Sequence, residues 1–230
     1  MMIGVELLSK FDSIAGLSPR TQRCIAEKTI TADVAAEASL YQQGDPPCAF
    51  YMLETGRVKL YRQSKDKRQI LALLAPGECL GAESLSTGGI SPFTATALTP
   101  VTALCVPPDP LQVLLDEHPD FQEVFLRLIT DRLKQFVTLV HDLAFRDVTS
   151  RLAMVLVARA DLGGKEVDDG VLLDRLLSQQ EYADMVGTVR EVVSRTFKRF
   201  EDENLVHLTR TSILIRDCDR LRAIALLEAR

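Results

Sequence analysis

The sequence is poor in the residues that staple small folds or hold metals. Five cysteines stand far apart at positions 24, 48, 79, 105 and 218, an odd number with no CxxC pair. That spacing argues against a disulfide framework or a structural zinc site and for a reducing compartment, the cytoplasm. The histidines are His118, His141 and His207. None falls in the 30–106 region, where a cupin-like enzyme would cluster its metal ligands. No G-x-S-x-G, Walker loop or paired metal ligands occur, so no enzyme chemistry is expected. No apolar run approaches the ~18 residues of a membrane-spanning helix. The opening MMIGVELLSKFDS lacks the basic stretch and apolar core of a secretion signal. Neither sign of charge dominates: 27 Lys and Arg face 32 Asp and Glu, for a net charge of −5. Whole-chain electrostatics therefore draws the protein neither to nucleic acid nor to an anionic membrane. Any nucleic-acid function must rest on a local patch.

Two further absences are regional. All ten prolines lie at or before Pro119, and no glycine occurs between Gly89 and Gly163. The first half is therefore turn-rich and the middle is suited to long helices. With 47% hydrophobic and 26% charged residues, the composition is that of an ordinary globular chain, long enough for one large domain or two modest ones.

From about 30 to 106, short runs with strand character (ASLYQ, AFYML, RVKLYR, QILALL, TATAL, TALCV) alternate with the turn signals GDPP, ETG, APGE, STGG and LTP. That pattern predicts an all-β sandwich or roll. A short helix at roughly 17–28 should precede it and another should follow in PPDPLQVLLDEH. The next segment, DFQEVFLRLITDRLKQFVTLVHDLAFR, places Leu126, Ile129, Leu133, Phe136, Val140 and Leu143 at spacings of three and four. This heptad seam predicts a long helix that pairs with its own copy. A second apolar set, Phe121, Phe125, Leu128 and Leu139, is left to pack on its own domain.

Asp147 is placed to cap the next helix, VTSRLAMVLVARA. The stretch DLGGKEVDDG has the composition of a loop and leads into VLLDRLL, a short strand. In SQQEYADMVG, Ser178 and Glu181 form a capping box, and Gly187 sits where a helix stop needs positive φ. A second helix should run from about Val189 to Glu203, and two helices joined by a short glycine-containing turn make a helix-turn-helix. LVHL and SILIRD then flank T-R-T as a hairpin, or wing. The expected fold is α+β: a jelly-roll-like β-roll (1–118), a dimerisation helix and hinge (119–146) and a winged helix-turn-helix (147–230).

Within that second helix, Val193, Phe197 and Phe200 share one face and should be buried. Arg190, Glu191, Ser194, Arg195 and Lys198 share the other. Residues 188–199 carry four positive charges and one negative, and the EDE run at 201–203 reverses the sign. Such a helix enters the major groove by its N-terminal part. Arginine can donate two bonds to guanine and glutamate can accept from cytosine, while serine and lysine hold phosphates. The plainer alternative is a solvated face with a Glu191–Arg195 pair of a few tenths of a kcal/mol.

The chain resembles the CRP/FNR family of bacterial transcription regulators along nearly its whole length. LAFRDVTSRLA at the hinge and VGTVREVVSRTFKRFEDENLV at the reading helix carry the resemblance most specifically. GDPPCAFYMLETGRVKLYR and LLAPGECLG match the family's β-roll. The resemblance implies a cytoplasmic homodimer on a two-fold operator that contacts RNA polymerase. It implies Glu191 and Arg195 as base readers, Arg190 as a third base reader or a phosphate contact, and backbone contacts from Ser178, Gln179, Thr188 and Lys198, with Ser194 beside them. The effector side departs from the family's known patterns. Where cyclic-AMP binders have a G-E-L/I-x-L segment and an R-S/T-A grip on the phosphate, this chain has GAESLSTGGISPFTATAL. Ala82 replaces the glutamate, Pro92-Phe93 the arginine-serine pair, and Phe136-Val137 the polar residues that face adenine. An anionic cyclic phosphate meets no fixed cation there, so tight cyclic-nucleotide binding is not expected. An iron–sulfur cluster is not expected either, because about four thiolates are needed and only Cys105 sits at a ligand-like place. Gly81 and Glu83 stand where the carbon-monoxide sensors bind haem, leaving haem through other ligands open and the effector unknown. Two other readings remain: a cupin-like enzyme, or a ligand-binding module without DNA affinity.

Overall fold

The computed structural model describes residues 4–46, 49–84 and 89–227. Position 48, one of the five cysteines, and the LSTG part of the effector segment lie outside the described residues. The chain divides into two compact units, residues 1–136 and 137–230, with the border inside one long helix.

In the first unit three short helices, α1 (Val5–Leu8), α2 (Asp12–Ala15) and α3 (Pro19–Lys28), precede eight strands. These are β1 (Ile30–Val34), β2 (Ser39–Tyr41), β3 (Phe50–Thr55), β4 (Val58–Ser64), β5 (Lys67–Leu74), β6 (Cys79–Leu80), β7 (Thr94–Ala97) and β8 (Val101–Val106). They form two antiparallel four-stranded sheets, ordered β1-β8-β3-β6 and β2-β7-β4-β5. Strand periodicity explains the layering. Leu53, Val101 and Ala103 of the first sheet meet Val58, Leu60, Ala95 and Ala97 of the second in one core. Phe50, Met52, Leu104 and Val106, one position out of phase, face the helices instead. β3 and β8 are thus covered on both faces, which is why AFYML and TALCV are nearly continuous apolar runs. β1, ITADV, alternates apolar Ile30, Ala32 and Val34 with polar Thr31 and Asp33, yet as an edge strand it is mostly exposed.

α4 (Pro108–Glu117) and α5 (Pro119–Phe145) follow. Phe121 and Phe125 of the second apolar set bury against Phe50 and its neighbours together with Val124, and Leu128 is partly buried beside them; Leu139, the fourth of the set, is half-buried and outside this cluster. Of the seam residues, Leu126, Ile129, Leu133 and Val140 are exposed on this chain and Leu143 is half-buried. Phe136 differs: it is half-buried, its ring edge-on to Phe93 with centroids 6.1 Å apart. Val137, one residue on, is exposed. The free stripe therefore passes through Val137, because four residues after Leu133 keep to one helical face as well as three do.

The second unit begins with the end of α5. α6 (Val148–Gly163) starts at Asp147, whose side chain accepts from the Ser150 amide. A four-stranded antiparallel sheet, ordered β11-β12-β10-β9, supports three further helices. Its strands are β9 (Lys165–Val167), β10 (Gly170–Asp174), β11 (Val206–Leu208) and β12 (Ser212–Ile215); the helices are α7 (Gln179–Val186), α8 (Arg190–Asp202) and α9 (Cys218–Ala225). The expected loop DLGGKEVDDG is a correction. Its first three residues close α6, and K-E-V is strand β9, paired with β10 across Asp168-Asp169. β9 is an exposed edge strand, so its composition is polar although its backbone is laddered. Gly170 (φ 134°) is required there, since a side chain would meet the Ile215 carbonyl.

Candidate nucleic-acid interface

The capping box forms as the sequence predicts. Ser178 Oγ accepts from the Glu181 amide at 3.2 Å, and Glu181 Oε2 accepts from the Ser178 amide at 2.8 Å. α7 then stops at Gly187 in the left-handed region, φ 67°, with the Gly187 and Thr188 amides both donating to the Ala183 carbonyl. This turns the chain sharply into α8. Val193, Phe197 and Phe200 are buried, and Phe197 meets Tyr182 of α7 edge-on with centroids 5.3 Å apart. Each such aromatic or aliphatic burial stabilises by about 1.5–3 kcal/mol. Together they set which face of α8 points outward.

That outward face carries Arg190, Glu191, Ser194, Arg195 and Lys198, all exposed. Among the described residues, none of these five side chains has a hydrogen-bond or ion-pair partner. The Glu191–Arg195 pair of the plainer alternative does not form. Arg199, by contrast, pairs with Glu203 at 3.6 Å, and Glu203 also accepts from Arg220 at 3.0 Å. Glu201 accepts from the Leu208 amide of the wing at 3.0 Å. The acidic run that ends the basic patch is therefore used inside the unit, as a tie between α8, the wing and α9. Ser178 is exposed and committed to its cap, while Gln179 and Thr188 are half-buried at the start of α7 and at the turn.

Two residues on this surface escape a reading by helix face. Val189, exposed before the first turn of α8, offers an apolar contact beside Arg190. Arg210 stands exposed at the wing tip between β11 and β12. The basic residue in T-R-T was the available signal. Arg175 donates to the Thr209 carbonyl at 2.6 Å and holds that tip.

On the first unit, the resemblance matches Pro92 and Phe93 to the cyclic-phosphate grip. Phe93 is fully buried among Tyr41, Leu60 and Phe136 in the roll. Arg62 donates to the Pro92 carbonyl at 3.4 Å from the exposed side. Ala82 is buried, and the next residue supplies a carboxylate: Glu83 accepts from Arg132 Nε of α5 at 3.1 Å. Arg132 also donates to Gln135 at 2.7 Å and to the Cys79 carbonyl at 3.3 Å. Sequence reading missed this buried pair because its partners are 49 residues apart. A cavity of about 250 Å³ beside it is lined by Ser13, Phe50, Cys79, Glu83, Leu128 and Arg132, among others. Among the described residues no group of three or more His, Cys, Asp or Glu is placed to hold a metal ion, and no helix is long and apolar enough to cross a membrane.

A β-roll followed by a winged helix-turn-helix, with a bare charged face on the second helix, defines a two-part DNA-binding regulator. The profile of the cyclic nucleotide-binding domain matches residues 32–118, and that of the Crp-like helix-turn-helix domain matches residues 150–224. The chain is 32% identical over 180 residues to the global nitrogen regulator of Synechocystis sp., covering 77% of this chain and 80% of that one. It is 27% identical over 217 residues to a CRP-like cAMP-activated global transcriptional regulator of Mycobacterium tuberculosis, covering 94% and 97%. A CRP/FNR-family regulator from Eubacterium rectale shares the fold with a TM-score of 0.77 at 18% identity, covering 94% of this chain and 99% of that one. The chain belongs to the CRP/FNR family of DNA-binding transcription regulators.

Proposed function

We propose that this regulator acts as a homodimer on a two-fold operator, reading bases with Arg190, Glu191 and Arg195. The observation that carries the reading is the face of α8, where these side chains and Lys198 stand exposed with no partner among the described residues. A solvated helix face gains from internal pairing; charges left single are suited to an external partner. Arginine here supplies paired donors for guanine O6 and N7, and Glu191 an acceptor for cytosine N4. Lys198, Ser194, Thr188, Gln179 and Ser178 hold phosphates and set register. Val189 touches a thymine methyl, and Arg210 of the wing a phosphate.

The stripe of Leu126, Ile129, Leu133, Val137 and Val140 on α5 pairs with its copy in the partner subunit, Phe136 and Leu143 flanking it. Residues 1–118 serve as the sensory roll, 119–146 as dimerisation helix and hinge, and 147–230 as the reading domain. RNA polymerase is the further partner that the family implies, and the cytoplasm the compartment. The protein is not an enzyme. Its three histidines lie on α4's end, α5 and β11, away from the roll's strands. The roll does not take cyclic AMP: the buried Phe93 stands in the grip segment, and the buried Arg132 guanidinium of α5 is neutralised by Glu83. The effector, if one is used, has other chemistry.

The test is selection of duplexes from a random pool by the purified dimer at low ionic strength. Enrichment of inverted repeats, with a TGA-containing half-site by family resemblance, is expected. A pool that stays unenriched, with cell extract added to supply an inducer, overturns the reading.

A further inference from the structure

Only Arg146 and Asp147 separate the end of α5 from the start of α6. A two-residue joint has few torsions, but each one swings everything that follows. What holds it comes from the far end of the chain. α9 opens at Asp217, whose side chain accepts from the Arg220 amide at 2.9 Å, and buries Leu221 and Ala225. Its last carbonyls have no intrahelical donor, and two side chains at the joint supply one. Arg146 Nη1 donates to the Ala225 carbonyl at 2.8 Å and lies 3.4 Å from that of Leu227. Ser150 Oγ lies 3.0 Å and 2.8 Å from the same two oxygens, its single proton serving one at a time. Arg146 Nε donates back to Asp142 Oδ1 on the last turns of α5 at 2.9 Å. One guanidinium therefore ties α5 to the carbonyl end of α9, where a cation is favoured by the helix dipole. Both side chains of the ion pair are about 15% exposed or less, which limits screening by water. Arg151 of α6 donates to the Leu143 carbonyl at 3.0 Å and closes the other side.

We propose that α9 is a brace across this joint, with Arg146 and Ser150 as positioning residues that set operator affinity without touching DNA. Two copies of α8 must meet grooves about 34 Å apart. Freedom at each joint has to be frozen on binding, and a joint already fixed avoids that cost. The proposal rests on the two-fold operator reading for its affinity test, and has a second readout that does not.

Wild type, Arg146→Ala, Ser150→Ala and Arg146→Lys are titrated with a duplex selected by the wild-type dimer and with one carrying a single half-site. Arg146→Ala and Ser150→Ala should each lose about fivefold on the two-site duplex, the cost of ordering a loosened joint, and nothing on the single site. An extra base pair between half-sites should penalise Arg146→Ala less than wild type. Arg146→Lys keeps the charge and should regain most of the loss. In parallel, hydrogen exchange of the free protein should show faster amides at residues 143–151 in Arg146→Ala, with α8 still protected. Equal losses on both duplexes, no loss on either, or unchanged exchange at the joint would overturn the brace. A wild type that ignores the second half-site sinks the operator reading instead, and the exchange experiment then decides the brace alone.

Discussion

The ring of Phe136, projecting from α5, meets that of Phe93 edge-on at 86°, the two centroids 6.1 Å apart. Phe93 follows the proline that stands where cyclic-AMP binders carry their phosphate-gripping arginine. By the resemblance, these two aromatic residues replace polar ones of the cyclic-AMP binders, and here they pack on each other.

Isothermal titration with cyclic AMP should accordingly yield no constant of micromolar strength or better. Phe136→Ala should lower the unfolding free energy by about 2 kcal/mol, less than the roughly 3–5 kcal/mol of a fully buried phenylalanine truncation, since the ring is only half-buried. A tight cyclic-AMP isotherm for wild type would refute the first expectation, and an unchanged denaturation midpoint the second.

On the reading helix, Arg195→Ala should cost roughly 1–3 kcal/mol at a cognate duplex and relax base preference at one position. Lys198→Ala should weaken all duplexes alike and flatten the salt dependence by about one unit. Fluorescence anisotropy at several salt concentrations separates the two. If Arg195→Ala weakened cognate and random DNA equally, it would be a phosphate contact and not a base reader.

For the dimer, Ile129→Glu with Leu133→Glu is a cleaner probe than any change at Phe136, which would also disturb the roll. Both positions are exposed on the single chain, so the monomer should remain folded. In the pair, opposed carboxylates in an apolar seam would be expelled. Sedimentation should show monomers with poor operator affinity. A double variant that sediments as a dimer removes α5 as the interface.

Burial pushes the Cys79 thiol up to about 12 from its ordinary 9.0, more than the Ser13 contact and Arg132 lower it. Only the thiolate alkylates readily, so iodoacetamide at pH 8.5 should leave Cys79 unmodified until the chain is denatured. The same shift has a sign for stability. The unfolded thiol ionises near 9.0 while the folded one keeps its proton to about 12. This group's contribution is therefore full below the first value and declines as pH rises toward the second. Rapid labelling of native Cys79, read by peptide mass, would contradict the burial.

The local devices were legible in advance because each is short in sequence. Ser178 and Glu181 are three residues apart, and Gly187 needs nothing distant to stop α7. Val193, Phe197 and Phe200 declare their face by spacing alone. Strand β9 was not legible. A K-E-V edge strand buries nothing, and its hydrogen bonds come from β10 rather than from its composition. Phe136 was legible as apolar but not as to direction, since spacings of three and four both keep to one face.

By itself, then, the sequence determined the strands of the roll, the long helix α5, the helix-turn-helix and the charged ridge of α8, all of which follow from apolar periodicity and turn chemistry within a few residues. Tertiary structure alone decided which charges remain single, that Glu83 neutralises Arg132, that Phe93 meets Phe136, and that α9 returns its carbonyls to Arg146. Those are pairings across 43 to 79 residues of chain. Sequence spacing holds no record of such distances, and only the closing of the core brings the partners together.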